Sequence, residues 1–174
     1  MRRIRHRQSP FGPEYNPLNE ILVTVGASEG IDLAVRALVE PGDEVLVPDP
    51  SYVSYMPCVT FANGVCVPVP TDMAHDFKIT PEALRAAITP RTKALILPYP
   101  NNPTGAVMTM QDYLGIAEVL KDTNIIVIHD EIYAELTYTG EEQRLIKKGS
   151  TKGGSMSYSL DGEEELRYFD TKVD

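Results

Sequence analysis

Lys93-Ala94-Leu95-Ile96-Leu97 and, further along, Ile125-Ile126-Val127-Ile128 followed by His129-Asp130 frame the part of the chain that decides its architecture. Both runs are short, apolar and bounded by polar or turn-forming residues, as strands of a parallel sheet are. A helical period from Gln111 to Lys121 lies between them. Strand, helix and strand in that order predict two parallel strands joined by a crossover helix. The unbroken apolar character of Ile125 to Ile128 predicts a central strand, covered on both faces.

Outward from this unit the same alternation continues. Ile21-Leu22-Val23-Thr24-Val25 reads as a strand, and Ile31, Ala34, Val35 and Leu38 repeat at helical spacing on one face before Pro41-Gly42-Asp43 stops the helix. Strands are expected at Glu44 to Val47 and Val65 to Val69, and Thr80-Pro81-Glu82 opens a helix with a hydroxyl cap, a proline in the first turn and an early acid. The pattern runs from Ile21 to Tyr138 and predicts one α/β domain with three layers, α/β/α, around a mostly parallel central sheet. Residues 1–13 are basic and punctuated by proline, an irregular tail. Residues 141–174 show no sustained period, carry Lys147-Lys148, Gly149-Ser150-Thr151-Lys152-Gly153-Gly154-Ser155 and Glu163-Glu164-Glu165, and are expected to be a polar, disordered tail.

Composition narrows the partners. A formal net charge of −9 over 174 residues repels nucleic acid and anionic membrane surfaces. Cys58 and Cys66 sit in apolar stretches, at no metal-ligand spacing, and read as reduced core thiols of a cytoplasmic protein. No metal site is expected. Met1-Arg2-Arg3-Ile4-Arg5-His6-Arg7 is basic like the start of a secretory signal, but Gln8-Ser9-Pro10-Phe11-Gly12-Pro13 follows where an apolar segment should be.

Four segments carry chemistry, each with a plain alternative. Thr24-Val25-Gly26-Ala27-Ser28-Glu29-Gly30 lies where a strand gives way to a helix. Small residues, free N–H groups and the Ser28 hydroxyl suit an anion there, and the glycines equally suit the turn itself. Asp130 follows an apolar strand at the carboxyl edge of the sheet, where ligands bind in open α/β folds. It could pair with a protonated heteroaromatic nitrogen, cap a helix or bind a metal. His129 is assigned no role. Pro100-Asn101-Asn102-Pro103-Thr104-Gly105 fixes a turn that holds amide side chains over the same edge. Asp49-Pro50-Ser51-Tyr52-Val53-Ser54-Tyr55 follows another strand end, where Tyr52 could lie flat on a planar ligand or pack into the core. All four fall after strands of one sheet, so their side chains can converge on one crevice.

In order and spacing, Thr24 to Gly30, Pro41-Gly42-Asp43-Glu44-Val45, Asp49 to Tyr55, Asn101-Asn102-Pro103-Thr104-Gly105 and Asp130-Glu131-Ile132-Tyr133 resemble the large domain of fold-type-I, class I/II aminotransferases. The resemblance covers residues 14–140, which it makes a partial pyridoxal-phosphate-binding domain. It implies pyridoxal 5′-phosphate as cofactor, an amino acid and a 2-oxo acid as substrates, and a homodimer for the parent enzyme. Gly26, Ala27 and Ser28 would hold the phosphate, Tyr52 would stack on the pyridine ring, Asn102 and Tyr133 would bond its phenolic oxygen, and Asp130 would pair with its ring nitrogen. A carbon–sulfur lyase of the same fold, a non-catalytic remnant that binds phosphate ligands or partner chains, and an unrelated nucleotide-binding domain are the other readings.

The pattern departs from the family in one respect that matters for activity. The family's Schiff-base lysine stands in a Ser-x-Ser-Lys-like turn ahead of a Thr-Gly-Trp-Arg motif, and this chain has no Trp. Gly149-Ser150-Thr151-Lys152 is the only lookalike; it comes too soon after Asp130 and is followed by Gly153-Gly154-Ser155. No catalytic lysine is therefore assigned, and the chain is expected to be a truncated large domain, inactive alone.

Overall fold

Four short strands pair side by side in parallel to form the sheet that organises residues Val23–Arg144, one of two units into which the chain divides. The coordinates are a computed structural model, which describes Asn16 and residues 18–134 and the backbone alone of residues 149–152, 155–160 and 164–169.

Helix α1, Ala27–Leu38, turns Ile31 and Val35 into the core and keeps its polar Asp32–Arg36 pair, 2.7 Å apart, outside. It ends at Val39, and Gly42, at φ +92°, supplies the reversal that Pro41-Gly42-Asp43 foreshadowed. Strand β1, Glu44–Asp49, follows and is buried from Glu44 to Pro48. Helix α2, Tyr55–Phe61, has no counterpart in the sequence reading. It is only seven residues long, opens without a side-chain cap and contains Pro57, Val59 and Thr60, so local propensity does not announce it. Burial of Tyr55, Cys58 and Val59 holds it in place.

Strand β2, Val65–Pro70, leads through a 3₁₀ turn at Met73–His75 to helix α3, Pro81–Ala87. Thr80 caps α3 as expected, its hydroxyl accepting the Ala83 N–H at 3.1 Å. Strand β3, Thr92–Leu97, helix α4, Met110–Leu120, and strand β4, Ile126–His129, complete the unit. A reciprocal capping box of Thr109 and Asp112 starts α4.

The strand order is β2-β1-β3-β4, all neighbours parallel. Side chains alternate across a strand, so Val45, Val47, Ala94 and Ile96 face one way, into a core with Ile31, Val35, Tyr55, Cys58 and Val59 of α1 and α2. Leu46, Leu95 and Leu97 are equally buried on the opposite face, beneath α3 and α4 with Leu84, Tyr113 and Ile116. The result is the three-layer α/β/α arrangement with a parallel sheet.

Three expectations need correction. Ile21 to Val25 does not form a strand: it pairs with no strand among the described residues, and Leu22, Val23 and Val25 are exposed. A β-branched run supplies propensity, but a strand exists only where a neighbouring edge takes its hydrogen bonds. β4 is an edge strand among the described residues, half-buried along its length; the central, fully buried positions belong to β1 and β3. An unbroken apolar run does not by itself distinguish centre from edge.

The third concerns the other unit, Met1–Leu22 with Leu145–Asp174. Within the stretch read as a disordered tail, β5 (Gly149–Lys152), β6 (Ser155–Leu160) and β7 (Glu164–Phe169) form an antiparallel sheet in the order β5-β6-β7. The missed signal is a period of two. Met156, Tyr158 and Leu160 alternate with serines, and Leu166 and Tyr168 alternate with charged residues. The rest of 141–174, like residues 1–13, lies outside the described residues.

Candidate functional site

The chain leaves β1 for β2 on one side, then crosses to the other side of β1 to form β3 and β4. Loops after β1 and β3 therefore leave in opposite senses at the carboxyl ends of the strands, where the strand order reverses and open α/β sheets characteristically form their ligand crevice. Three of the four sequence-selected segments sit on this edge, directly after β1, β3 and β4.

The loops are tied to one another. Asn101, after β3, is buried, and its side-chain N–H donates to the Pro50 carbonyl after β1 at 3.0 Å. Its turn closes through Gly105 N–H to the Asn101 carbonyl, 2.8 Å, and Asn101 N–H to the Ala106 carbonyl, 2.9 Å, with Gly105 at φ +72°. The Asn101 carboxamide oxygen is buried without a partner. Asn102 reaches across to the loop after β4, its N–H meeting the Tyr133 hydroxyl at 3.4 Å.

Asp130 continues the β3–β4 ladder by one rung, its N–H donating to the Leu97 carbonyl at 3.2 Å. Its carboxylate is half-buried and accepts on both oxygens: the Ile132 N–H at 3.1 Å on Oδ1, and the Tyr55 hydroxyl at 2.8 Å on Oδ2. Burial first, and then the Asp130 charge, push the Tyr55 phenol well above the ordinary tyrosine range. Tyr55 is thus a neutral donor.

The ring of Tyr52 meets that of Tyr55 edge-on, centroids 5.6 Å apart and planes at 78°. The Tyr52 hydroxyl lies 3.3 Å from Ser28 Oγ, and this hydrogen bond, ahead of a second from Ser54, holds the Tyr52 phenol below its usual value. That contact brings the start of α1 to the same crevice. Gly26 precedes α1 at φ +84°, a conformation that favours glycine, with open space where a Cβ would stand. No side chain caps α1, so its first N–H groups, beginning at Ala27, have no side-chain acceptor.

Ser28, Tyr52, Tyr55 and Asp130 form one linked series, and Asn102 with Tyr133 a second; the Tyr133 phenol also acts electrostatically on Tyr55. Tyr55 was within a quoted segment but had no role assigned. Its signal was spacing: three residues after Tyr52 at a helix start, it returns to the same side. His129 stands apart, with Glu131 at 2.9 Å from Nδ1 and the Tyr113 hydroxyl at 3.3 Å from Nε2. Among the described residues no cluster of His, Cys, Asp or Glu could hold a metal ion, and no helix is long and apolar enough to cross a membrane.

Similarity to known proteins agrees with this geometry. The sequence model of the family "Aminotransferase class I and II" matches residues 7–157. A putative aminotransferase, YugH, of Bacillus subtilis is 45% identical over 137 residues, which cover 79% of this chain and 36% of that protein. The structure of N-succinyldiaminopimelate aminotransferase from Mycobacterium tuberculosis superposes with a TM-score of 0.68 at 48% identity, over 72% of this chain and 33% of that one. Aspartate aminotransferase from Thermus thermophilus, solved with maleate, gives 0.66 at 43% identity, over 70% and 32%. The chain thus spans about a third of the length of the relatives it matches. With the family match extending over most of its residues and the same fold in solved relatives, the chain belongs to the class I and II aminotransferases.

Proposed function

We propose that this chain supplies the pyridoxal 5′-phosphate cradle of an enzyme that transfers an amino group from an amino acid to a 2-oxo acid. The observation that carries the reading is the convergence of an uncapped helix start, an aromatic flank and a doubly hydrogen-bonded carboxylate on one crevice at the strand-order reversal. The donor set fits the cofactor. Gly26, Ala27 and Ser28 offer backbone N–H groups and a hydroxyl to a phosphate. Tyr52 offers a ring face to a pyridine, Asn102 and Tyr133 offer donors to a phenolic oxygen, and Asp130 offers an anion to a ring nitrogen. When bound, the cofactor supplies an electron sink for the amino acid's α-carbon electrons. Asp130 keeps the proton on the ring nitrogen, and the aromatic pair excludes water from one face.

No lysine is assigned as catalyst. Among the described residues Lys78 pairs with Asp112 at 3.0 Å, Lys121 lies near Glu118 at the end of α4, and Lys93 opens β3 at the edge opposite the crevice. Residues 14–140 form the cofactor domain in this reading, in a homodimeric, cytoplasmic parent acting on amino and 2-oxo acids. The residues of this cradle hold the cofactor noncovalently.

Asp130→Ala tests it. Removal of the charged partner weakens pyridoxal phosphate binding by ~2 kcal/mol or more, roughly thirtyfold, whereas Lys152→Ala leaves it unchanged. Borohydride reduction and peptide mapping should label scattered lysines. A stoichiometric adduct confined to Lys152, lost together with transaminase activity in Lys152→Ala, would overturn the assignment.

A further inference from the structure

Tyr55 is almost fully buried, 3% exposed, at the first position of α2, and it makes two contacts of different kinds. Its hydroxyl donates to Asp130 Oδ2, and its ring abuts the ring of Tyr52. The other Asp130 oxygen is taken by the Ile132 N–H. A carboxylate with one donor on each oxygen cannot rotate about its Cβ–Cγ bond without losing one of them, while each oxygen still has a lone pair for a further partner. Tyr55 is bound by packing to α2 and β1, whereas Asp130 and Ile132 stand at the end of β4. The hydrogen bond therefore sets the carboxylate against a rigid element on the other side of the crevice.

We infer that Tyr55 is a positioning residue: by donating to Asp130 Oδ2 while supporting the ring of Tyr52, it fixes the carboxylate for a protonated heteroaromatic nitrogen and sets its distance from the aromatic flank. The inference rests on the cofactor reading above and deepens it. Burial keeps the Tyr55 phenol protonated, so the donor persists over the whole working pH range. The groups that act on it are Asp130, Tyr133 and Tyr52, and none of them is a cation.

The test uses pyridoxine 5′-phosphate, which keeps the ring and phosphate but has no aldehyde to react with lysines, on the whole chain, Tyr55→Phe, Asp130→Asn and the double variant. Tyr55→Phe keeps the ring and removes only the hydroxyl. It should weaken binding about tenfold and lower the titration midpoint of the bound ring nitrogen, read by its ¹⁵N shift, by about one pH unit. In the Asp130→Asn background the same change should alter affinity less than about twofold, because a group that acts through Asp130 has nothing left to act on. Equal losses in both backgrounds, or an unmoved ring-nitrogen titration, would overturn the role of Tyr55 and leave the cofactor reading intact. Failure of the unaltered chain to bind the probe would defeat both. A further measurement needs no variant: the Tyr55 hydroxyl proton should give a slowly exchanging NMR resonance that persists when the probe binds. Its loss on binding would mean that Asp130 leaves Tyr55 for the ligand, contrary to the proposal.

Discussion

Asp130 and Tyr55 show how much of a site a sequence states residue by residue. Asp130 taken alone had plain alternatives, a helix cap or a metal ligand, and the spacing of the segments that hold Ser28, Tyr52, Asn102, Asp130 and Tyr133 was what singled these residues out as candidates. Tyr55 was not singled out, because its importance lies in a contact 75 residues away along the chain. Its burial gives a pH signature. The folded state holds the Tyr55 proton above the pH, about 10, at which an unfolded tyrosine releases it. Stability from this group is thus complete below about pH 10 and is lost as pH rises further, since the unfolded state then binds fewer protons than the folded one. Tyr99, buried and pushed up to about 12, acts in the same direction. Denaturant titrations from pH 9 to about 11.5 should show stability falling in the unaltered chain and falling less steeply in Tyr55→Phe. Identical slopes would mean that the Tyr55 phenol is accessible in the folded protein.

At the scale of elements, helices with a strong local code were readable and those held by packing were not. The start of α3 illustrates the first case, and α4, read from Gln111, carries a local code at its start that was not read. Thr109 and Asp112 satisfy each other's backbone N–H groups, and Asp112 also pairs with Lys78 at 3.0 Å. Thr109→Ala should cost about 1 kcal/mol in chemical denaturation, with little change in the sheet. Helix α2 illustrates the second case, since only its buried face explains it. The turn after it is closely packed: a Cβ on Gly64 would stand 2.7 Å from Val39 Cγ1 and 3.1 Å from Val59 Cγ1. Gly64→Ala therefore forces a buried valine to move and should destabilise the chain by about 1–3 kcal/mol. A neutral or stabilising result would show that α2 can shift away from α1 freely. The Ile21 to Val25 segment makes the complementary point, because good strand propensity alone gave it no pairing with any strand among the described residues.

For the whole molecule, the alternation of strands and helices from β1 to β4 was enough to predict the parallel three-layer architecture; three of the four selected segments follow strand ends as expected, whereas the Thr24 to Gly30 segment follows no strand among the described residues. Strand order was not legible, because an apolar run does not record which neighbours it will have. Nor was the antiparallel β5–β7 sheet, whose polar composition obscured a period of two. The central claim is that residues from four separate segments form one cofactor cradle at the carboxyl edge of the sheet. Backbone amide NMR during a titration with pyridoxine 5′-phosphate tests it most directly. Saturable shifts at Ala27, Ser28, Tyr52, Asn102 and Asp130 to Tyr133, with the rest of the sheet unmoved, are the predicted result. Shifts scattered over surface lysines, or confined to one of these segments without saturation, would contradict it.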